Sequence, residues 1–413
     1  MSSDMPQCSL SPSRRSSVAM PGTLAQRRPE ALVSSVVTDS RRLPAAAALT
    51  LLVLTSCAED GPQRGNQFLP LEGDSADSGP LDGGTQNDDA AAEGAEEDIL
   101  EPAAGFEEIA QRLEALPGEV EALVLEDEQA LLQLGRQEAA PLASVAKLYV
   151  LAALVDAVDS GEVGWQDTMT LAEEHRSLPA GTLQDQAEGY TTSVHDVAIR
   201  TISISDNTGT DMLLDLLGRA RVEQAAADYG HHEPQLLQPF LSTREMFQLR
   251  WGYPELGAGW EQLQEAERRE VLEEVAERPL ELDPLDPTGE DLDFGIDWYA
   301  SAQDIAQLHQ ALAAREQDHP ELRAVLTTSP GLPEPVEDPW WDWLSFKGGG
   351  LPGVATATWH AMGPEGAERT VVLLLRTEDT ENIAEHRAEL RSLGLDALIT
   401  GTDTQRQENE DSG

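Results

Sequence analysis

Cysteine is nearly absent from this 413-residue chain: Cys8 and Cys57 are the only two, and both precede the stretch with a foldable pattern. The folded part can therefore hold no disulfide, no thiolate nucleophile and no cysteine metal site. Lysine is equally scarce. Lys147 and Lys347 are the only two among 27 basic residues, the rest being arginine. Positive charge is heavily outnumbered, since 76 acidic side chains leave a formal charge of −49. Such a surface repels phosphate backbones, which excludes nucleic acid as the expected partner. Acidity spread over the whole chain also fits adaptation to a salty milieu. Long apolar runs are missing too: Leu43–Leu54 falls short of the ~20 residues that span a membrane.

That short run is informative in its setting. Arg41-Arg42 precedes it and Leu54-Thr-Ser-Cys57 ends it, so a positive flank, an apolar core and small residues before a cut follow in order. Residues 1–57 read as a signal peptide. Its end resembles the bacterial lipobox, which implies lipidation of Cys57, membrane anchoring and an extracytoplasmic location. An ordinary signal peptide with a chance cysteine is the alternative, and the arginine pair leaves the export route open. From Ala58 to Ala104, 13 acidic residues face one basic residue, Arg64, amid Gly, Ala and Ser. No hydrophobic period runs through this stretch, and it reads as a disordered, self-repelling tether.

A folded region is expected over 105–402, with a disordered polar tail at 403–413. The spacing predicts a helix from Phe106 to Leu116, a strand pair at 119–126 and 130–134, and a long apolar helix from Ser144 to Val158. Further helices are expected at 193–203 and 208–217, then a charged, proline-containing excursion over 252–297. Strands at 343–347, 354–361 and 370–376 precede a final helix over about 382–398. Strands at both ends with helices between predict one sheet built from distant halves, plus an inserted helical lobe.

Three motifs carry chemistry. Ser144-Val-Ala-Lys147 places an amine one helical turn beyond a hydroxyl, on the same face. A serine hydroxyl needs a base to become a nucleophile, and a buried lysine with a lowered pKa can be that base. The bland alternative makes Ser144 a helix N-cap. Ser205-Asp206-Asn207 follows 61 residues on and supplies a second hydroxyl and an amide, with helix capping as its alternative. Lys347-Gly348-Gly349-Gly350 ends a strand with a cation and a bare backbone edge, or forms a glycine turn between strands. A chain that otherwise uses arginine has placed a lysine in each motif that needs one. Arginine could not replace Lys147 as a base, because it keeps its proton.

In order, Ser144-x-x-Lys147, Ser205-Asp206-Asn207 and Lys347-Gly348-Gly349 resemble the three signatures of class A β-lactamases and penicillin-binding proteins. The resemblance covers about residues 106–400. It implies an α/β, β-lactamase-like fold: an antiparallel sheet flanked by helices plus an all-α lobe. It also implies Ser144 as nucleophile, Lys147 as base, Ser205 as proton shuttle and Lys347 as electrostatic residue. Asn207, Gly349 and Gly350 would contact substrate, with the Ser144 and Gly350 N–H groups as oxyanion hole. Two departures stand out. Gly348 replaces the usual Thr or Ser, and no clear deacylating glutamate follows the second motif. Glu245 is nearest by distance, yet Ser242-x-x-Glu245 also reads as a capping box. The stretch Pro239–Glu245 is similar to a divergent branch that includes a serine hydrolase encoded among clavulanic acid biosynthesis enzymes.

The expected function is thus a secreted, lipid-anchored serine hydrolase acting on an amide or ester, with β-lactams, peptidoglycan peptides and small esters as substrate candidates. The alternative is a catalytically silent binding module on the same tether. A monomer is expected, with no cofactor and no metal. His231, His232 and Glu233 read as a solvated loop, not a metal site. His195 and His360 are set aside as triad members because no Gly-x-Ser-x-Gly elbow surrounds Ser144. Trp298-Tyr299 and Trp340-Trp341 are expected to pack the core or line the cleft.

Overall fold

A short amphipathic helix, α1 (Glu107–Glu114), and a hairpin of strands β1 (Glu119–Glu126) and β2 (Gln129–Leu134) open the folded chain. The computed structural model describes residues 100–281, 294–333 and 340–402. The expected leader with Cys57, nearly all of the acidic tether and the tail 403–413 lie outside them. The two-residue strand β3 (Ala140–Pro141) and a 3₁₀ turn (Ala143–Ala146) lead into α2 (Lys147–Asp159). Next come β4 (Thr168–Thr170), β5 (Thr191–Ser193), α3 (Val194–Ser203), α4 (Asn207–Leu217) and α5 (Arg219–Asp228). α6 (Thr243–Phe247) and a π-helical turn (Gln248–Gly252) lead into the charged excursion, which holds α7 (Pro254–Gly257) and α8 (Glu265–Ala276). Strand β6 (Tyr299–Ala300) and helices α9 (Ala302–Arg315) and α10 (Pro320–Thr327) follow. Strands β7 (Trp343–Leu351), β8 (Val354–Met362) and β9 (Glu368–Arg376) and helix α11 (Ile383–Ile399) close the chain.

The main sheet runs β2-β1-β9-β8-β7, antiparallel throughout. β1 therefore pairs with β9 from the other end of the chain, Glu119 opposite Arg376. Alternation sorts the side chains between two cores. Ala122, Val124, Trp359, Val371 and Leu373 face α1 and α11, whereas Leu123, Leu125, Val372 and Leu374 face the helical lobe around α2. α2 is apolar on nearly every face because the lobe surrounds it. The expected sheet of distant halves and the inserted helical lobe are both present.

Two boundaries differ from expectation. The long helix starts one turn late: Ser144 lies in the 3₁₀ turn, after Ala143 at φ +47°, and does not cap α2. The glycines after Lys347 form no turn. They continue β7 through Gly350 opposite Ala355, and the chain reverses at Pro352-Gly353, where φ is +74°.

Helix α11 seats on the sheet through Gly394, where an added Cβ would collide with the Trp359 ring. Alanine is the better helix former, yet Gly394→Ala should destabilise by about 1–3 kcal/mol through overpacking. Urea unfolding reads this directly, and an unchanged midpoint would discount the contact.

Candidate active site

The three motifs converge. Lys147 opens α2 with only 2% of its surface exposed, and its Nζ donates to the Ser205 carbonyl at 2.6 Å and Asn207 Oδ1 at 2.7 Å. It also contacts Ser205 Oγ at 3.1 Å. Lys347, on the edge strand β7 and equally buried, reaches the same Ser205 Oγ at 3.1 Å and donates to the Gly348 carbonyl at 2.7 Å. One hydroxyl thus bridges the only two lysines of the chain.

Burial pushes the Lys147 pKa down to about 7, against the opposing pull of the Asp211 and Asp206 carboxylates. Burial also holds Lys347 well below the ordinary lysine range, with the charges of Lys147 and Arg391 adding to the effect. The contacts suit both forms of Lys147. As an ammonium it donates to all three oxygens. As an amine it donates to the Ser205 carbonyl and Asn207 Oδ1 while its lone pair accepts the Ser205 hydroxyl proton. Asn207 Nδ2 donates to the Leu178 carbonyl at 3.0 Å, which fixes the amide so that its oxygen faces the lysine.

Two strained residues present the hydroxyls. Ser205 holds φ +58°, and Ala143, just before Ser144, holds φ +47°. Non-glycine residues adopt this region at a cost and persist there only when neighbours over-determine them. For Ser205 the determinant is Asp206, fully buried, whose carboxylate accepts N–H groups from Thr182 (2.6 Å), Leu183 (3.0 Å) and Gly209 (2.9 Å). The capping alternative thus holds for Asp206 and leaves Ser205 and Asn207 to face the lysines. Gly181, at φ +124°, is bare because a Cβ would strike the Asp206 carboxyl. For Ala143 the determinant is Asp297 Oδ1, which accepts its N–H at 3.0 Å.

Ser144 is half-buried, and no hydrogen bond from another side chain among the described residues restrains its hydroxyl. Gly349 presses against it: a Cβ there would lie 2.8 Å from the Ser144 nitrogen. Neighbouring Gly348 and Gly350 face the opposite side of β7. A Cβ at Gly348 would lie 2.8 Å from Phe346 Cζ, so the phenyl ring fills the space of the missing hydroxyl. A Cβ at Gly350 would meet the Arg387 guanidinium, which donates to the Leu351 carbonyl at 3.2 Å.

Several residues escaped the sequence analysis. Asp211, one helical turn beyond Asn207, accepts the Thr243 and Arg244 N–H groups at 2.7 and 2.8 Å and the Thr243 hydroxyl at 2.9 Å. It ties α6 to the second motif, and burial raises its pKa to about 6. The i, i+4 spacing from Asn207 was the available signal. His309 is buried, with a pKa pushed down to about 3, and contacts the Thr358 hydroxyl at 2.9 Å. That hydroxyl donates to the Lys347 carbonyl at 2.8 Å, so His309 supports the strand behind Lys347. No local pattern marks it.

Glu245 has both oxygens engaged. One accepts the Ser242 N–H at 2.7 Å as a capping box, and the other accepts from Arg219 at 2.7 Å. His231, His232 and Asp304 gather, but their ligand atoms are committed: Asp304 accepts from Ser301 and His232, and His231 Nδ1 accepts the Glu233 N–H at 3.1 Å. His195 contacts the Glu321 carbonyl and His360 the Thr370 hydroxyl. Trp298, Tyr299 and Trp341 serve packing, with the Tyr299 hydroxyl donating to the Phe294 carbonyl and the Trp341 indole to the Leu398 carbonyl.

A family model described as the beta-lactamase enzyme family matches residues 106–329. No curated protein matches the chain significantly. Among solved structures, a β-lactamase from Sphaerobacter thermophilus DSM 20745 is 20% identical, covering 71% of this chain and 97% of its own, with a TM-score of 0.50. A representative of class A β-lactamase from Bacteroides cellulosilyticus DSM 14838 is 17% identical, covering 72% and 97%, at 0.51. A β-lactamase from Burkholderia vietnamiensis is 14% identical, covering 72% and 96%, at 0.50. At these identities the structural likeness establishes the fold.

Proposed function

Since the chain belongs to the beta-lactamase enzyme family, we propose that it is a serine hydrolase that carries the acyl group of an amide or ester on Ser144. The observation that carries this reading is the meeting of both lysine amines at Ser205 Oγ, each at 3.1 Å. Neutral Lys147 takes the Ser144 proton as the oxygen attacks the carbonyl carbon, its lone pair turning from the Ser205 hydroxyl to do so. The carbonyl electron pair moves onto oxygen, stabilised by the N–H groups of Ser144 and Gly350. When the tetrahedral species collapses, the bond to the leaving group breaks, and that group takes a proton through the Ser205 hydroxyl from the lysine pair. Water then releases the acid and regenerates Ser144.

The substrate is an acyl compound bearing a carboxylate. Lys347 lies buried beside the bare Gly349 edge next to Ser144 and, when it carries a proton, suits an anionic group there. Release of the acyl group should be slow, because Glu245 is spent on the capping box and Arg219. A penicillin-binding protein or slow hydrolase is therefore favoured over a fast lactamase. We extend the proposal to location: residues 41–57 support export and lipidation at Cys57, with 58–104 as the tether holding a monomeric domain off the membrane.

Mass spectrometry after exposure to a fluorescent penicillin tests the chemistry. A covalent adduct on Ser144 that decays over minutes or longer is expected, and Ser144→Ala should show none. A native chain that neither forms an adduct nor hydrolyses esters would leave the silent binding module as the surviving reading.

A further inference from the structure

Behind the nucleophile turn lies a cavity of about 310 Å³ between the excursion and β6. We propose that it is a second ligand site, taking a small organic carboxylate with an apolar body and a neutral N–H or O–H donor. Its buried floor is Asp297 and Trp298, 6% and 4% exposed. Asp297 Oδ1 accepts the Ala143 and Trp298 N–H groups at 3.0 and 2.7 Å, but its Oδ2 is buried without a hydrogen-bond partner. The Trp298 indole N–H is likewise buried and unpartnered. Buried polar atoms left in this state are costly, so each calls for an explanation. A ligand that donates to Oδ2 satisfies the first.

The walls and mouth define the rest of the ligand. Trp260, Leu237 and Leu241, all buried, give apolar sides. Arg268 stacks on Trp260 at 5.4 Å and donates to the Trp260, Gln238 and Glu261 carbonyls at 3.2, 3.4 and 3.3 Å. Arg376 stands at the exposed rim, in loose contact with Glu119 at 3.6 Å, and exposed Glu261 shares that rim. The positive charge of Arg250 also faces Asp297. Two arginines, Arg268 and Arg376, line this one cavity against two carboxylates, Asp297 and Glu261, in a chain where acid outnumbers base by 76 to 27. A ligand ammonium at Asp297 would face the charge of Arg250, whereas a carboxylate at the mouth would meet Arg376. An anion with a neutral donor fits both ends. Because Asp297 also holds Ala143, occupancy should alter acylation at Ser144. That coupling rests on the proposed function; the binding does not.

Calorimetric titration of the full chain with indole-3-acetate tests the site, with uncharged indole as control. One saturable event with Kd at or below about 1 mM is expected, weakened at least tenfold in Arg376→Gln and in the cavity-filling Leu236→Trp. Indole should bind more weakly than indole-3-acetate. No saturable binding, or binding untouched by either variant, overturns the proposal. The rim position of Arg376 keeps that arm informative if Leu236→Trp misfolds. Acylation by fluorescent penicillin, measured with and without the probe, should differ in the native chain; an unchanged rate would discard the coupling and keep the site. Failure of penicillin to modify Ser144 at all would overturn the proposed function while the titration still decides this one.

Discussion

Replacing Lys147 with alanine should slow acylation of Ser144 by about 10²–10⁴-fold, the usual contribution of a positioned base. Lys147→Arg should do no better, because a guanidinium keeps its proton throughout the accessible pH range. Stopped-flow acylation by a fluorescent penicillin, with circular dichroism to confirm folding, makes the measurement. In the native chain, burial sets the Lys147 pKa at about 7. Below that pH the amine carries a proton and can accept no other, so the acylation rate should climb with pH through about 7 and then level off. The linkage has the same origin. Between about 7 and the ordinary lysine value of 10.5, the unfolded chain holds a proton on this residue that the folded chain has lost. Stability should therefore rise with pH across that window, and Lys147→Ala should flatten the slope, leaving the share that Lys347 contributes. A variant that acylates at the native rate would remove Lys147 from the chemistry.

The second large effect concerns stability. Asp206→Ala should cost about 3–5 kcal/mol, since it strips acceptors from buried N–H groups and removes a helix N-cap. Thr182, Leu183 and Gly209 all donate to this carboxylate, which is fully buried. Asp206→Asn keeps an oxygen but turns an N–H₂ toward the same donors, so an intermediate loss is expected. Because the Asp206 charge raises the Lys147 pKa, Asp206→Asn should also move the rising limb of the acylation profile to lower pH. A merely structural role would leave that limb in place. Urea midpoints and the pH profile together separate the two contributions, and a native-like midpoint in Asp206→Ala would refute the capping argument.

Much of this site was legible because its parts are chemically rare in the chain. Two lysines in a sequence rich in arginine marked two motifs, and Ser205-Asp206-Asn207 marked the third. Strand alternation located the terminal halves of the sheet to within a few residues. What stayed hidden depends on tertiary placement. Asp297 holds the residue before Ser144 across 154 positions of sequence, and no local pattern encodes that. The glycines after Lys347 look like a turn in isolation. They remain extended because β7 pairs with β8 as far as Leu351, and they are glycine because Gly349 must clear Ser144 and Arg387 crowds Gly350. Ser144 looked able to cap a helix, but the left-handed Ala143 places it inside the 3₁₀ turn instead.

The partnership of β1 with β9 has a bearing on how the chain matures. When the amino-terminal hairpin emerges, one long side of β1 has no neighbour, and its partner arrives much later, Glu119 waiting for Arg376 across 257 positions (376 − 119). Pairings this remote close slowly, and an open strand side invites pairing with other chains. Lys347 also arrives late, on the strand at the far edge of the same sheet. A chain cut short before β9 would therefore lack the middle of its sheet, and one cut short before β7 would lack half of its amine pair as well.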